Sequence, residues 1–280
     1  MIRLVAIDVD GTLLDARGQV PAANVAALRA AAARGVRLVV ATGRSYPFAL
    51  PAVADLPDPL TLVAYNGAVA RERGGDTIAV RPLAAEVARR LLVHMREWRA
   101  NTLVQFDRVG PGQTVFDRLS WDQPNRRGYY AKIRHHTSQV DDLERALDDA
   151  DPVQVAFNGG SVKMQDVLAA LALAPDPAAI AVSSTHYPAR DFSLIDVNAA
   201  GATKGAGVAA VAAHYGIARD EVLAIGDNHN DVDMLRWAGT GVVMGNAEPE
   251  LLGLGLPVVP TNDDAGLAHA LERYVLSPTA

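Results

Sequence analysis

A chain of 280 residues, half of them hydrophobic, is long enough for a large core arranged as one domain or two. No uninterrupted apolar stretch approaches the ~20 residues of a membrane span, no charged segment followed by an apolar one marks a signal peptide, and the lack of cysteine excludes disulfides and thiol catalysis and fits a cytoplasmic location. The net charge of −6 argues against broad nucleic-acid binding, and almost all positive charge is arginine, with Lys132, Lys163 and Lys204 the only lysines.

The first 80 residues read as alternating strands and helices. Leu4-Val5-Ala6-Ile7 is apolar on both faces, as a buried parallel strand is, and it runs into Asp8-Val9-Asp10-Gly11-Thr12. Pro21 to Ala33 is predicted helical: Pro21 suits a first turn and Gly35 a stop. Val36 to Ala41 is a second strand ending at Thr42-Gly43-Arg44, and Tyr46 to Ala54 a short helix broken by Pro51. Leu60 to Tyr65 is a third strand ending at Asn66-Gly67.

After Pro82 the pattern shifts. Leu83 to Trp98 is predicted to be a long helix, and short strands are expected at Thr102–Phe106 and Tyr129–Ile133. A helix (Asp141–Asp149), a strand (Val153–Phe157), a helix (Val162–Leu171) and a strand (Ile180–Ser183) follow. From Phe192 the opening style resumes. A strand at Ser193–Val197 leads to Gly201-Ala202-Thr203-Lys204-Gly205 and a helix over Val208–Tyr215. Val222–Ile225 is a strand ending in Gly226-Asp227-Asn228-His229-Asn230-Asp231, Met234–Ala238 is helical, and Gly241–Met244 and Val258-Val259 are strands. The expected fold is α/β: a Rossmann-like parallel-sheet core, residues 1–82 and 190–280, with an inserted α+β unit at 83–189.

Four clusters fall at strand ends, the edge where open α/β sheets bind ligands: Asp8/Asp10, Thr42-Gly43, Lys204 and Asp227/Asp231. Ionised groups beside a buried strand are costly unless paired or bound to a metal. Residues i and i+2 of an extended chain point the same way, so Asp8 and Asp10 can converge on one point. Together these are parts for phosphoryl transfer. A dianionic phosphate repels a carboxylate nucleophile by ~4 kcal/mol or more at contact, at an effective dielectric of about 20. A divalent cation and a lysine offset that repulsion, and an all-oxygen donor set suits Mg²⁺. Thr42 can donate a hydrogen bond to a phosphate oxygen, and a second acid can protonate the leaving oxygen and then activate water.

Asp8-x-Asp10-Gly-Thr, Thr42-Gly-Arg, Lys204-Gly and Gly226-Asp227-x-x-Asn230-Asp231 resemble the four ordered motifs of the haloacid dehalogenase (HAD) superfamily. The likeness is greatest to its Cof-type branch, subfamily IIB, whose large cap (C2B type) lies between the second and third motifs. The resemblance implies Asp8 as nucleophile and Asp10 as general acid/base, with Thr42 and Lys204 on the phosphoryl group. It also implies an Mg²⁺ site made by Asp8, the Asp10 backbone carbonyl and Asp227, supported by Asn230 and Asp231. Gly11, Gly43, Arg44, Asn66 and Gly67 fall on the substrate and phosphate side. The first function expected is hydrolysis of a small phosphorylated metabolite, such as a sugar phosphate, through an aspartyl-phosphate. A phosphomutase of the same superfamily is the second, and a phospho-aspartate regulator the third; Asp10 disfavours the last because it speeds hydrolysis. No membrane or nucleic-acid partner is expected, and the sequence does not give the oligomeric state. His229 is read as a solvated loop histidine rather than a neighbour of the metal. His135 and His136, adjacent on a strand, would face opposite ways and not share a metal. Trp98 and Trp121 are read as packing, and Arg126-Arg127 as either a solvated turn or an anion contact.

Overall fold

The computed structural model describes residues 1–119, 123–187 and 191–277, which form two compact units, Met1–Val80 with Thr203–Ala280 and Arg81–Ala202. The first unit opens with strand β1 (Leu4–Ile7), helix α1 (Ala22–Ala33), β2 (Arg37–Ala41), α2 (Tyr46–Ala49), β3 (Leu60–Ala64), β4 (Val69–Glu72) and β5 (Thr77–Val80). The second unit holds α3 (Ala85–His94), β6 (Thr102–Gln105), β7 (Thr114–Phe116), α4 (Pro124–Ile133), β8 (Thr137–Gln139), β9 (Gln154–Gly159), α5 (Ser161–Leu171), β10 (Ile180–Tyr187) and β11 (Phe192–Ala199). The chain then returns to the first unit with α6 (Lys204–His214), β12 (Val222–Gly226), α7 (Val232–Trp237), β13 (Thr240–Met244), α8 (Pro249–Leu252), β14 (Val258–Val259) and α9 (Gly266–Leu271). Among the described residues no helix is long and apolar enough to cross a membrane.

The first unit's sheet has the order β14-β13-β12-β1-β2-β3-β4-β5. It is parallel from β14 to β3, and the β4–β5 hairpin closes one edge antiparallel. The central strands β1, β3 and β12 are buried along their whole length, which matches their unbroken apolar sequences. The chain leaves β1 toward β2 on one side, while β12 pairs on the other. That is a topological switch point, where a crevice opens at the carboxyl ends of the strands.

The second unit's sheet has the order β10-β11-β9-β6-β7-β8 and is antiparallel except for the β7–β8 pair. Its main core gathers Leu91, Leu92, Val104, Phe157, Val167, Ile195 and Val197, with Trp98 packed against it as expected. Trp121 lies outside the described residues.

Several expectations need correction. The strand at 193–197 does not belong to the parallel core. Over Phe192–Ala199 it pairs antiparallel with β10 and β9, so the second unit runs to Ala202 rather than to residue 189. Ile195 and Val197 are the reason, since they bury in the second unit's core. Tyr129–Ile133 is not a strand but the end of α4; Pro124 suits its first turn, and Tyr130 and Ile133, three apart, share one buried face with Leu103, Phe116 and Ala156. Asp141–Asp149 forms only a single turn, Arg145–Leu147, because the Asp142 carboxylate takes the backbone N–H groups of Glu144 and Arg145 at 2.8 and 3.2 Å. His135 and His136 sit in a short turn, Arg134–His136, rather than on a strand. Arg126 is neither solvated nor an open anion contact: it is fully buried and donates to the carbonyls of Ala100 (3.1 Å) and Asn158 (2.7 Å).

Candidate active site

The switch point brings the first and fourth motifs together. β1 and β12 run in register, Ile7 opposite Ile225, and the Asp8 N–H donates to the Ile225 carbonyl at 3.1 Å. Asp8 and Asp227 therefore leave neighbouring strands at the same level. Both are buried, as are Asp231 and Lys204.

Lys204 links the cluster. It is the first residue of α6, whose N-cap Thr203 accepts from the Ala206 N–H at 3.2 Å. Its Nζ donates to Asp8 Oδ1 at 2.5 Å, to Asp231 Oδ1 at 2.7 Å and to Asn230 Oδ1 at 3.3 Å. Burial alone would lower the Lys204 ammonium, but Asp231 and Asp8 outweigh it and hold it above its ordinary value. Asp231 is fully engaged on its other oxygen, which accepts the N–H groups of Asp227 and Asn228, each at 3.0 Å. Asp231 thus shapes the loop that presents Asp227. Asn230 also donates to Asn66 Oδ1 at 3.1 Å, tying the end of β3 to this cluster.

Asp227 is held differently, by the Thr12 hydroxyl at 2.7 Å. Burial, then the nearby Asp231 charge, pushes its carboxyl up to about 7 against the pull of Thr12 and Lys204. Asp8 is raised well above the usual carboxylate range, by burial first and then by Asp231, Asp227 and Asp10, with Lys204 opposing. Oxygens of Asp8, Asp227 and Asp231 lie within 4.8 Å of one another. Three acids facing one ammonium leave excess negative charge, and the all-oxygen donors fit a hard divalent cation.

Gly11 cannot carry a side chain here. Its φ is +93°, and a Cβ would stand 2.2 Å from Asp227 Oδ2. Gly67 is under the same constraint, with φ +100° and a Cβ position 1.9 Å from the Thr203 carbonyl oxygen. Thr42 is buried at the end of β2, where its hydroxyl accepts the Arg44 N–H at 3.1 Å and its carbonyl accepts the Asn66 N–H at 3.0 Å. Gly43 backs onto the Asn66 amide.

Asp10 stands apart from the buried cluster. It is half-exposed and held by Arg44 through two hydrogen bonds, Nε to Oδ2 at 2.9 Å and Nη2 to Oδ1 at 2.6 Å. The sequence placed Arg44 on the substrate side; the structure pairs it with Asp10. Three polar contacts were not foreseen. Thr12 was given no role although it closes the first motif. Asn246, just after β13, donates to the Gly11 carbonyl at 2.8 Å, and Asp233 accepts the Gly205 N–H at 2.9 Å. The strand-end rule that found Asp227 would have found Asn246. His229 is not simply solvated, since its Nε2 meets Glu248 and Glu250.

Convergent buried acids around one lysine, at the switch point of a Rossmann-like sheet, define an α/β enzyme whose site is built for charge. A sequence profile of the haloacid dehalogenase-like hydrolases matches residues 5–271. The HMP-PP phosphatase of Serratia proteamaculans is 28% identical over 99% of this chain and 97% of its own length. The 5-amino-6-(5-phospho-D-ribitylamino)uracil phosphatase YcsE of Bacillus subtilis is 26% identical over 98% and 96%. Among solved structures, the HAD-superfamily phosphatase BT1666 of Bacteroides thetaiotaomicron superposes with a TM-score of 0.80 at 27% identity, covering 99% of this chain and 96% of that one. The chain belongs to the haloacid dehalogenase-like hydrolase family.

Proposed function

We propose that this hydrolase is a phosphatase of the Cof-type branch (subfamily IIB) that depends on Mg²⁺ and hydrolyses a small phosphorylated metabolite, a sugar phosphate being the class expected, by way of a phosphorylated Asp8. The observation that carries the reading is the buried contact of Lys204 with both Asp8 and Asp231, beside Asp227. Asp8, the Asp10 backbone carbonyl and Asp227 would hold the cation, with Asn230 and Asp231 in support. Bound there, Mg²⁺ would supply Lewis-acid polarisation of a phosphoryl oxygen and offset the repulsion between Asp8 and a phosphate dianion.

In this scheme Lys204 opposes the rise that burial imposes on the Asp8 carboxyl and fixes its oxygen, and Thr12 fixes Asp227. The Asp8 oxygen attacks phosphorus, and the bond to the leaving oxygen breaks as that oxygen takes a proton from Asp10. Water then attacks the phosphorus of the acyl-phosphate, Asp10 takes the water's proton, and the bond to Asp8 breaks to release inorganic phosphate. The Thr42 hydroxyl, with Lys204, is the donor assigned to the phosphoryl oxygens, and Gly11, Gly43, Asn66 and Gly67 shape the backbone around them. Arg44 clamps Asp10 at the rim, so this pair must part or pivot for Asp10 to reach a leaving group. The unit Arg81–Ala202 takes the part of the cap that selects substrate. Both relatives named above carry phosphatase names for small phosphorylated compounds, which supports a metabolite over a macromolecule.

Phosphate release from a panel of sugar phosphates, in Mg²⁺ and after chelation, tests the reading. Expected is turnover of at least one member that needs the metal. No turnover of any member with Mg²⁺ present would count against it, and isomerised sugar phosphate in place of free phosphate would assign a phosphomutase.

A further inference from the structure

His229, Glu248 and Glu250 form a second convergent cluster in the first unit, outside the buried acids. His229 Nε2 lies 2.5 Å from Glu250 Oε2 and 3.0 Å from Glu248 Oε2, and the ligand atoms of all three residues lie within 4.8 Å of one another. One ring nitrogen carries at most one N–H, so it can donate well to only one carboxylate. Two carboxylates directed at the same nitrogen are therefore poorly served by hydrogen bonding alone, and they repel each other at this range. A cation seated among the three removes both difficulties.

The geometry points to a second metal site, for a divalent transition ion of the zinc class. An imidazole with two carboxylates suits zinc, whereas Mg²⁺ favours oxygen and keeps its waters. Zinc–ligand bonds of about 2.0–2.2 Å in a tetrahedron set donor atoms about 3.3 Å apart. To reach that spacing from the imidazole, at 2.5 and 3.0 Å now, each glutamate oxygen moves back by less than about an ångström. All three side chains are at least partly exposed, so the ion has an entry path and water can complete its shell. The backbone adds a reason for the ion to matter. His229 lies in the turn between Asp227 and Asp231, while Glu248 and Glu250 lie at the start of α8, and the Glu248 N–H donates to the Asp227 carbonyl at 3.4 Å. Zinc here clips the loop that carries Asp227 to the segment after β13.

The test uses the full-length protein in excess Mg²⁺, titrated with zinc against a chromophoric chelator and followed in parallel by thermal melting. Expected is one zinc bound per chain beyond the Mg²⁺, with a rise in Tm. Each of His229→Gln, Glu248→Gln and Glu250→Gln weakens zinc by about tenfold or more and abolishes the rise. The two glutamate variants keep their Mg²⁺-supported phosphate release, and X-ray absorption at the zinc edge shows one imidazole with oxygen neighbours. Absence of zinc binding, equal affinity in wild type and variants, displacement of the zinc by excess Mg²⁺, or a zinc shell without imidazole would each overturn the assignment.

Discussion

Replacing Lys204 with methionine removes the ammonium between Asp8 and Asp231 while keeping much of the side chain's length and its apolar stem. In the wild-type chain the lysine is buried, 2.5 Å from one carboxylate and 2.7 Å from the other. Removing one partner of a buried pair leaves the other charge uncompensated, which costs about 3–5 kcal/mol. For a chain of this size that is a fall in Tm on the order of 10 °C. The deficit should depend on pH with a definite sign. The folded Asp8 carboxyl already lies above its unfolded value because of burial, and losing Lys204 raises it further. Stability from such a group is fully present below the unfolded pKa, about 3.9, and is lost as pH rises through the folded value. The variant's deficit should therefore be larger near pH 8 than near pH 5, as measured by denaturant unfolding of both proteins in the absence of metal. Phosphate release should fall too, since a protonated Asp8 cannot attack. A variant as stable as wild type at both pH values would show that the Lys204 contacts carry no net electrostatic weight, and the reasoning would fail.

Asp8→Asn should lower phosphate release by about 10⁴-fold or more while circular dichroism stays native, because the amide keeps the shape but is not a nucleophile; substantial residual turnover would remove Asp8 from that role. Mg²⁺ affinity should weaken as pH falls below about 7, by tenfold or more per pH unit, since the Asp227 carboxyl, raised to about 7 without metal, and the Asp8 carboxyl, also raised by burial, must lose their protons to bind. Calorimetric titration across this range checks it, and a flat profile would contradict it. The same shift means Asp227 stabilises the metal-free fold at low pH and ceases to do so as pH rises through about 7. Gly11→Ala puts a methyl 2.2 Å from Asp227 Oδ2 at a φ of +93°. It should cost about 1–2 kcal/mol of stability and weaken Mg²⁺ by displacing Asp227, both readable by melting with and without the metal.

The strand-end carboxylates were legible because their signal is local. An apolar run that stops at an acid marks the rim of a parallel sheet, and two such runs, ending at Asp8 and at Asp227, predicted one crevice. The switch point then placed Asp8 and Asp227 side by side, as their order along the chain implied. What local pattern could not carry was pairing. Ser193–Val197 looks like any core strand, and only its eight-residue ladder with β10 assigns it to the second sheet. Tyr129–Ile133 is short and aromatic enough to suit either period, and the spacing of Tyr130 and Ile133 acquires meaning only once α4 lies on the sheet. The Arg44–Asp10 clamp and the Thr12–Asp227 bond join residues whose types were noted but whose partners depend on side-chain direction at the loop tips.

Trapping the phosphoryl group on the protein tests the central claim most directly. The Asp10→Asn variant, mixed with a turned-over sugar phosphate and Mg²⁺, is quenched with borohydride, which reduces an acyl-phosphate to an alcohol, and the peptides are read by mass spectrometry. Homoserine at position 8 is the expected product. An unmodified Asp8, in a variant that still consumes substrate, or reduction at another carboxylate would contradict the claim.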